Sequence, residues 1–280
     1  MPELPEVETV MRGLEARLLG RRIVRAELRR HDLRHAVPPE LPRVLNGAEV
    51  AGFRRRAKYI LMRLKDRPTL LIHLGMSGRM NLGSTGQNEA PPAHEHLVFE
   101  TDDGTRVGFV DPRRFGALVL LDPAHGEDHK LLAGLGVEPL EKDFDAGFLA
   151  RALAGRATPM KAALLDQTKI AGLGNIYVSE ALFRARISPE RLAKDVTPAE
   201  VKLLVKEIKA TLAEAIAAGG STLRDYAQPS GELGYFQHSF KVYGREGEPC
   251  ERCPGPSQCQ GIRRIVQSGR SSFYCPATQP

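Results

Sequence analysis

The feature that most constrains the fold of this chain is a change in hydrophobic pattern near residue 135. Before it, short apolar runs are separated by turn residues, as in antiparallel sheets, and after it apolar residues recur at helical spacing. The chain has 280 residues, which exceeds the roughly 100 to 200 residues of a usual domain. We therefore predict an α+β protein with two domains.

The first domain is predicted to begin with a helix and to continue as a β-sandwich or barrel over residues 20–125. Pro2 to Pro5 precede the helical repeat and are not expected inside the helix. Asp102-Asp103-Gly104 predicts a hairpin turn, and we expect a mobile loop over 83–93. The helical repeat comprises Val7, Val10, Met11, Leu14 and Leu18. The predicted strands are 23–28, 59–64, 70–76, 97–101, 105–110 and 117–121.

The second part of the chain is predicted to be helical and to end in a β-hairpin. Thr197, Pro198 and Glu200 form the start signal of a long helix, with threonine as N-cap and glutamate as the capping-box acid. A loop follows over 221–237, and two strands are expected to join near Ser268-Gly269. The predicted helices are 146–154, 159–167, 175–185 and 198–218.

The cysteines indicate a metal site near the C-terminus. All four lie within the last 31 residues, and Cys250-x2-Cys253 has the spacing of a zinc knuckle, with Cys275 across the predicted hairpin. The N-terminus lacks the features of a secretory signal, and no apolar run reaches the length of a membrane span. We expect a soluble cytoplasmic protein, in which clustered cysteines favour metal over disulfides. Free thiols without metal are the alternative.

A net charge of +6 and a pI near 9.2 permit a polyanionic partner without requiring one. Removal of Met1 would leave Pro2 with an α-amino group whose usual pKa, about 7.7 to 8.0, makes it a usable nucleophile at neutral pH. Glu3 and Glu6 are carboxyl groups that could move protons beside it. The alternative interpretation is an acidic helix start that complements the helix dipole.

Three further segments have two interpretations each. The basic run 54–58 is either a phosphate-binding element or a solvated sheet edge. Asp111-Pro112-Arg113-Arg114-Phe115 is either a wedge inserted into DNA or a structural turn with Phe115 in the core. The glycine-rich segment 167–175, which contains Lys169, is either an anion site at a helix start or a plain connection between helices.

Taken together, these stretches resemble the bacterial formamidopyrimidine-DNA glycosylase family. The motifs are MPELPEVET, RRRAKYILMRL, LIHLGMSGRM, DPRRFG, LLDQTKIAGLGNIYVSEALF, VYGREGEPC and SSFYCP, in that order over nearly the whole chain. The resemblance implies an N-terminal β-sandwich flanked by helices over 1–134, a linker over 135–149, and a helix-two-turn-helix domain over 150–237. It also implies that loop 221–237 closes over the lesion, that 238–280 form a zinc-finger hairpin, and that the partner is double-stranded DNA with oxidised bases or abasic sites.

The resemblance also implies roles for individual residues in excising oxidised purines and cleaving the abasic site by β,δ-elimination. Pro2 corresponds to the nucleophile, Glu3 to the proton donor, Glu6 to its supporting carboxylate and Lys58 to the catalytic lysine. Met76, Arg113 and Phe115 correspond to residues that fill the gap left by the flipped nucleotide. The phosphate-binding positions of the family correspond to Lys58, His73, Asn175 and Arg270. Lys169 is a further candidate for DNA binding, because it lies in the glycine-rich segment, one interpretation of which is an anion site.

One departure from the family pattern concerns the proposed Zn²⁺ ligands. The family finger ends in a second C-x2-C knuckle, but Thr278 stands where its last cysteine is expected. Our hypothesis is that Cys259 supplies the fourth thiolate beside Cys250, Cys253 and Cys275; a three-thiolate or metal-free finger is the alternative. Rival functions are an endonuclease VIII-like enzyme for oxidised pyrimidines and a non-catalytic damage-binding protein. We expect a monomer.

Overall fold

The computed structural model describes all residues except 1, 87–90, 125, 224–225, 254 and 256–258. They divide into two compact units, Met1–Ala133 with Ile216–Gln237, and Gly134–Ala215 with His238–Pro280. The segment 221–237, which the predicted boundaries group with the helical domain, thus belongs to the first unit. None of the described helices is long and apolar enough to cross a bilayer.

The first unit is a β-sandwich preceded by a helix. Its two antiparallel four-stranded sheets have the strand orders β1-β6-β7-β5 and β2-β3-β4-β8. One hydrophobic core contains apolar side chains from both sheets and from the buried face of the first helix, including Val10 and Leu14. The elements are α1 (Leu4–Leu18), β1 (Ile23–Leu28), α2 (Leu41–Leu45), β2 (Val50–Arg56), β3 (Tyr59–Leu64), β4 (Thr69–His73), β5 (Arg79–Ser84), β6 (Glu95–Thr101), β7 (Thr105–Val110) and β8 (Ala117–Leu121).

All six predicted strands exist, and the hairpin turn at 102–104 joins β6 to β7. The prediction was wrong at 74–76, because β4 ends at His73 and the chain turns at Gly75, whose φ is +62°. It also missed α2, β2 and β5. The expected loop 83–93 begins inside β5, and residues 87–90 lie outside the described part of the chain. Pro5 lies in the first turn of α1, where its missing N–H costs nothing.

The second unit holds four helices and a two-stranded hairpin among its described residues. The predicted capping box is confirmed, since Thr197 N donates to Glu200 Oε2 at 2.8 Å and Glu200 N donates to Thr197 Oγ1 at 3.4 Å. The predicted hairpin is also confirmed, with its turn at Ser268 and Gly269. The elements are α3 (Ala146–Leu153), α4 (Met160–Leu164), α5 (Asn175–Arg184), α6 (Pro198–Ala217), β9 (Arg263–Gln267) and β10 (Arg270–Tyr274).

Candidate active site and metal centre

The N-terminus of α1 is a buried acidic cluster. Pro2 is buried, and Glu3 and Glu6 are each 2% exposed. Glu6 accepts two backbone hydrogen bonds, from Glu3 N to Oε2 and from Ser221 N to Oε1, both at 2.8 Å. The Glu6 carboxylate therefore ties the first turn of α1 to the start of the 221–237 segment, 215 residues later in the chain.

Two residues near the cluster were not singled out from the sequence. Gly220 has φ +81°, and a Cβ there would lie 3.0 Å from Glu6 Cγ. Tyr226 is buried in the sandwich core, and its hydroxyl donates to Gly219 O at 3.0 Å. Burial, with the nearby Glu6 charge, raises the pKa of Tyr226. These contacts fix the segment that follows α6 against the acidic cluster.

Lys58 and His73 lie near each other in the second sheet. Lys58 is in the turn between β2 and β3, and Tyr59 pairs with His73 across β3 and β4. Burial, with the Lys58 and Arg34 charges, lowers the pKa of His73 from 6.5 to about 4. Because His73 Nδ1 accepts from Gly75 N at 3.3 Å, the proton of the neutral ring is placed on Nε2. His73 thus offers an uncharged N–H donor at neutral pH.

The basic run 54–58 forms the end of β2 and the turn after it, and β2 is an edge strand of its sheet. One of its arginines has a structural role, because Arg55 Nε pairs with Glu8 Oε2 at 2.7 Å on α1. The run therefore lies at a sheet edge, but the Arg55 side chain is only 8% exposed and packs against α1 rather than being solvated. Lys58, at the end of the run, lies by His73.

The segment 111–116 presents an aromatic ring and an arginine at the surface. Phe115 is 42% exposed, and the Arg113 guanidinium lies 4.9 Å from its ring centroid. The alternative that Phe115 packs in the core is therefore wrong. Asp111 is fully buried and accepts hydrogen bonds from Ser77 Oγ and from Gly116 N, both at 2.7 Å. These two bonds hold both ends of the segment.

A cavity of about 700 Å³ brings several predicted residues together. Phe115, Arg113, His73 and the 37% exposed Met76 line it. Its other wall, 32–34, was not predicted. The cavity also needs Gly75, since a Cβ there would lie 2.4 Å from the Phe115 carbonyl carbon.

The second unit contains the remaining predicted DNA-binding residues. Asn175 starts α5, and its Nδ2 donates to Ser271 O at 3.1 Å. Lys161, which was not predicted, is 1% exposed and donates to Ser271 O at 2.7 Å and to Ser272 Oγ at 2.8 Å. Helices α4 and α5 thus hold β10, the strand that begins with the exposed Arg270. Lys169 is exposed in its glycine-rich turn.

The cysteines also meet in the second unit. The sulfurs of Cys250, Cys253 and Cys275 lie within 4.8 Å of one another, and Cys259 Sγ lies 3.3 Å from Cys275 Sγ. The edge of a tetrahedral zinc-thiolate site with bonds of about 2.3 Å is about 3.8 Å. The three sulfurs of Cys250, Cys253 and Cys275 therefore fit a structural metal ion, and Cys259 adjoins this group through Cys275. Thr278 Oγ1 is 3.4 Å from Cys250 Sγ, at the border of the cluster.

Two family models match the sequence: the formamidopyrimidine-DNA glycosylase N-terminal domain over residues 1–118, and the formamidopyrimidine-DNA glycosylase H2TH domain over residues 135–227. A formamidopyrimidine-DNA glycosylase of Acidiphilium cryptum is 62% identical, with 100% of both chains covered. One of Paracoccus denitrificans is 59% identical at the same coverage. The chain belongs to the formamidopyrimidine-DNA glycosylase family.

Solved members of the formamidopyrimidine-DNA glycosylase family have the same fold. A Lactococcus lactis FPG variant in complex with DNA containing Fapy-dG matches with a TM-score of 0.89, 34% identity and 99% of both chains covered. MutM in complex with DNA containing carbocyclic 8-oxo-G matches with a TM-score of 0.87 and 34% identity, again with 99% of both chains covered. The predicted fold class is confirmed.

Proposed function

We propose that this chain removes oxidised purines, namely 8-oxoguanine and formamidopyrimidines, from duplex DNA and cleaves the resulting abasic site. The observation that carries the proposal is its full-length match to formamidopyrimidine-DNA glycosylases, two of which are 62% and 59% identical. Solved relatives bound to DNA with Fapy-dG, an abasic site or carbocyclic 8-oxo-G support this substrate class.

Pro2 is the proposed nucleophile. Once Met1 is removed, the nitrogen of Pro2 attacks C1′ of the damaged nucleotide. The bond from C1′ to the base breaks, the base leaves with the bonding electron pair, and the proton lost from the Pro2 nitrogen neutralises it. The ring oxygen O4′ then takes a proton as its bond to C1′ opens, which leaves an iminium between Pro2 and C1′. The usual pKa of an α-amino group, about 7.7 to 8.0, leaves part of it unprotonated at neutral pH.

The two buried carboxyl groups have separate proposed roles. Glu3 adjoins the nucleophile in sequence and gives the proton to O4′. Glu6 accepts from the backbone of Glu3 and of Ser221, so it acts as a positioning residue. It holds the first turn of α1 and the 221–237 segment, which is the proposed cover over the lesion.

The proposed lyase steps follow from the iminium. It acidifies the hydrogens on C2′, so a base can remove one while the bond from C3′ to its phosphate oxygen breaks. A second elimination breaks the bond at C5′, and water then releases Pro2. Lys58 and the neutral His73 Nε2–H are proposed to bind the flanking phosphates.

The exposed side chains are proposed to stabilise opened DNA. Met76 and Phe115 fill the space of the flipped nucleotide, as apolar wedges do in other proteins that unstack bases. The Arg113 guanidinium donates to the acceptors of the orphaned cytosine. On the second unit, Asn175 and Arg270 bind phosphates, and Lys169 adds a further phosphate contact.

The test is borohydride trapping on a duplex with 8-oxoguanine opposite cytosine, followed by peptide mapping. We expect a covalent adduct at Pro2, a loss of at least about 100-fold in base excision for Glu3→Gln, and wild-type behaviour for Glu40→Gln, an exposed control outside the proposed site. Tight binding without an adduct would favour the damage-binding alternative. Faster excision of thymine glycol than of 8-oxoguanine would favour the endonuclease VIII-like alternative.

We further propose that Cys250, Cys253, Cys259 and Cys275 bind one structural Zn²⁺. Thiolate is a preferred zinc ligand, and the ion would cross-link the hairpin to the segment before it. We expect about one zinc per purified chain, a loss of zinc in Cys259→Ser, and full zinc content in the control Thr278→Val. Full zinc in Cys259→Ser would instead support the three-thiolate alternative, and a zinc-free wild type would support the metal-free finger.

A further inference from the structure

The unpredicted wall of the 700 Å³ cavity is a short, well-anchored loop between β1 and α2. At its start, Arg29 N donates to His96 O at 2.8 Å. At its end, Val37 N donates to His31 O at 2.8 Å, and the Val37 side chain is buried in the sandwich core. Asp32, Leu33 and Arg34 line the cavity from this loop. Their positions are therefore set by the sandwich.

The other arginines of this loop have carboxylate partners, but Arg34 has none in the part of the chain that the structure describes. Asp32 pairs with Arg30 at 2.6 Å and with Arg114 at 3.2 Å, so the carboxylate is already shared by two guanidiniums. Arg34 is exposed and has no hydrogen bond or ion pair with any described residue. A guanidinium at a cavity wall thus keeps its donors available.

The neighbours of Arg34 indicate which part of DNA it meets. Arg34 and His73 line the same cavity. After burial and the Lys58 charge, the Arg34 charge also helps to lower the pKa of His73, so the two side chains are close. Arg113 and Phe115, the residues proposed to face bases, are stacked on each other. An arginine beside the proposed phosphate donors Lys58 and His73 is placed for a phosphate.

We propose that Arg34 binds a backbone phosphate of the DNA strand that enters this cavity, a role that rests on the function proposed above. The planar guanidinium can donate two parallel hydrogen bonds to a phosphate. The ion pair between Asp32 and Arg114 would join this contact to the 111–116 segment. Binding the phosphate and inserting Phe115 would then occur on one connected surface.

The test compares Arg34→Gln with Arg34→Lys and with Arg43→Gln. Arg43 is the matched control, because it is also an exposed arginine of the first unit with no ion pair among the described residues, and it lies outside the cavity. Binding to a duplex with a tetrahydrofuran abasic analogue is measured from about 50 to 300 mM KCl. This probe requires no turnover.

Loss of one phosphate contact reduces the slope of log K against log salt by about 0.9. We expect that reduction in Arg34→Gln, together with about tenfold weaker binding near 100 mM salt. Arg34→Lys should retain the wild-type slope, and Arg43→Gln should match wild type in both slope and affinity.

An unchanged slope in Arg34→Gln, or an equal reduction in Arg43→Gln, would overturn the proposal. If the slope is unchanged and discrimination between cytosine and adenine opposite the lesion is altered, Arg34 contacts a base instead of a phosphate. Failure of wild type to excise 8-oxoguanine would refute the proposed function separately, since the slope comparison still reports on Arg34.

Discussion

Replacing Gly220 with alanine should disturb the Glu6 carboxylate, and the structure indicates by how much. Gly220 has φ +81°, a conformation that costs an L-residue roughly 1–2 kcal/mol. A Cβ would also lie 3.1 Å from Glu6 Oε1, so this atom must move by a few tenths of an ångström. Oε1 accepts from Ser221 N, and weakening that buried bond costs about 1 kcal/mol more.

Gly20→Ala is the matched control for the backbone term. Gly20 lies in the same unit and has φ +75°, but its Cβ would meet no heavy atom within 4 Å. We therefore expect Gly20→Ala to lower the free energy of unfolding by roughly 1–2 kcal/mol and Gly220→Ala by roughly 2–3 kcal/mol. Urea denaturation followed by circular dichroism measures both values.

The catalytic readout separates the two variants further. A displaced Glu6 shifts the backbone of Glu3, and small misplacements of catalytic groups are costly. We expect single-turnover excision of 8-oxoguanine to slow by about tenfold in Gly220→Ala and to stay within about twofold of wild type in Gly20→Ala. If Gly220→Ala and Gly20→Ala lose the same stability and excise at the same rate, the reasoning is refuted, because only the cost of the positive φ would then be needed to explain both variants.

Two further predictions concern buried groups outside this cluster. Lys161→Met should lower the free energy of unfolding by about 1–3 kcal/mol, because the bonds to Ser271 O and Ser272 Oγ are lost. Urea titrations should show a change below about 0.5 kcal/mol for the control Lys202→Met, because Lys202 is exposed. Equal losses in the two variants would contradict the role of Lys161. His73 has a folded pKa of about 4, below its usual 6.5, so the unfolded chain binds the proton first and stability falls as pH drops from about 6.5 to about 4. His73→Gln should lose less stability than wild type between pH 7 and pH 4.5 in the same assay, and an identical loss would count against this assignment.

The strands were predictable where the apolar run is continuous. The predicted bounds of β1, β3, β7 and β8 agree with the structure to the residue. The two missed strands carry polar side chains instead: β2 ends in Arg54-Arg55-Arg56, and β5 reads RMNLGS. These two segments become strands because β2 pairs with β3 and β5 pairs with β7, and the local residue pattern does not predict such pairing.

The motifs of the candidate site were predictable from the sequence, but the long-range contacts that position their residues were not. Pro2, Glu3 and Lys58 stand in motifs that the family resemblance covers. The bond from Ser221 N to Glu6 joins residues 215 positions apart, and the pair between Arg114 and Asp32 joins residues 82 positions apart. Such contacts arise only when the sandwich closes, so sequence spacing alone did not indicate Gly220 or Arg34.

The threonine at position 278, where the family pattern has a cysteine, is best understood together with Cys259 and Gln279. In the proposed site, Cys259 replaces the thiolate that the family pattern expects at position 278, so the metal no longer cross-links the C-terminal tail. Gln279 holds that tail instead, because its side chain accepts from Cys275 N at 3.0 Å and donates to Ile187 O at 2.8 Å. Gln279 is 1% exposed, so these bonds are shielded from water. The tail therefore has its own attachment within the second unit, which does not depend on the proposed metal site.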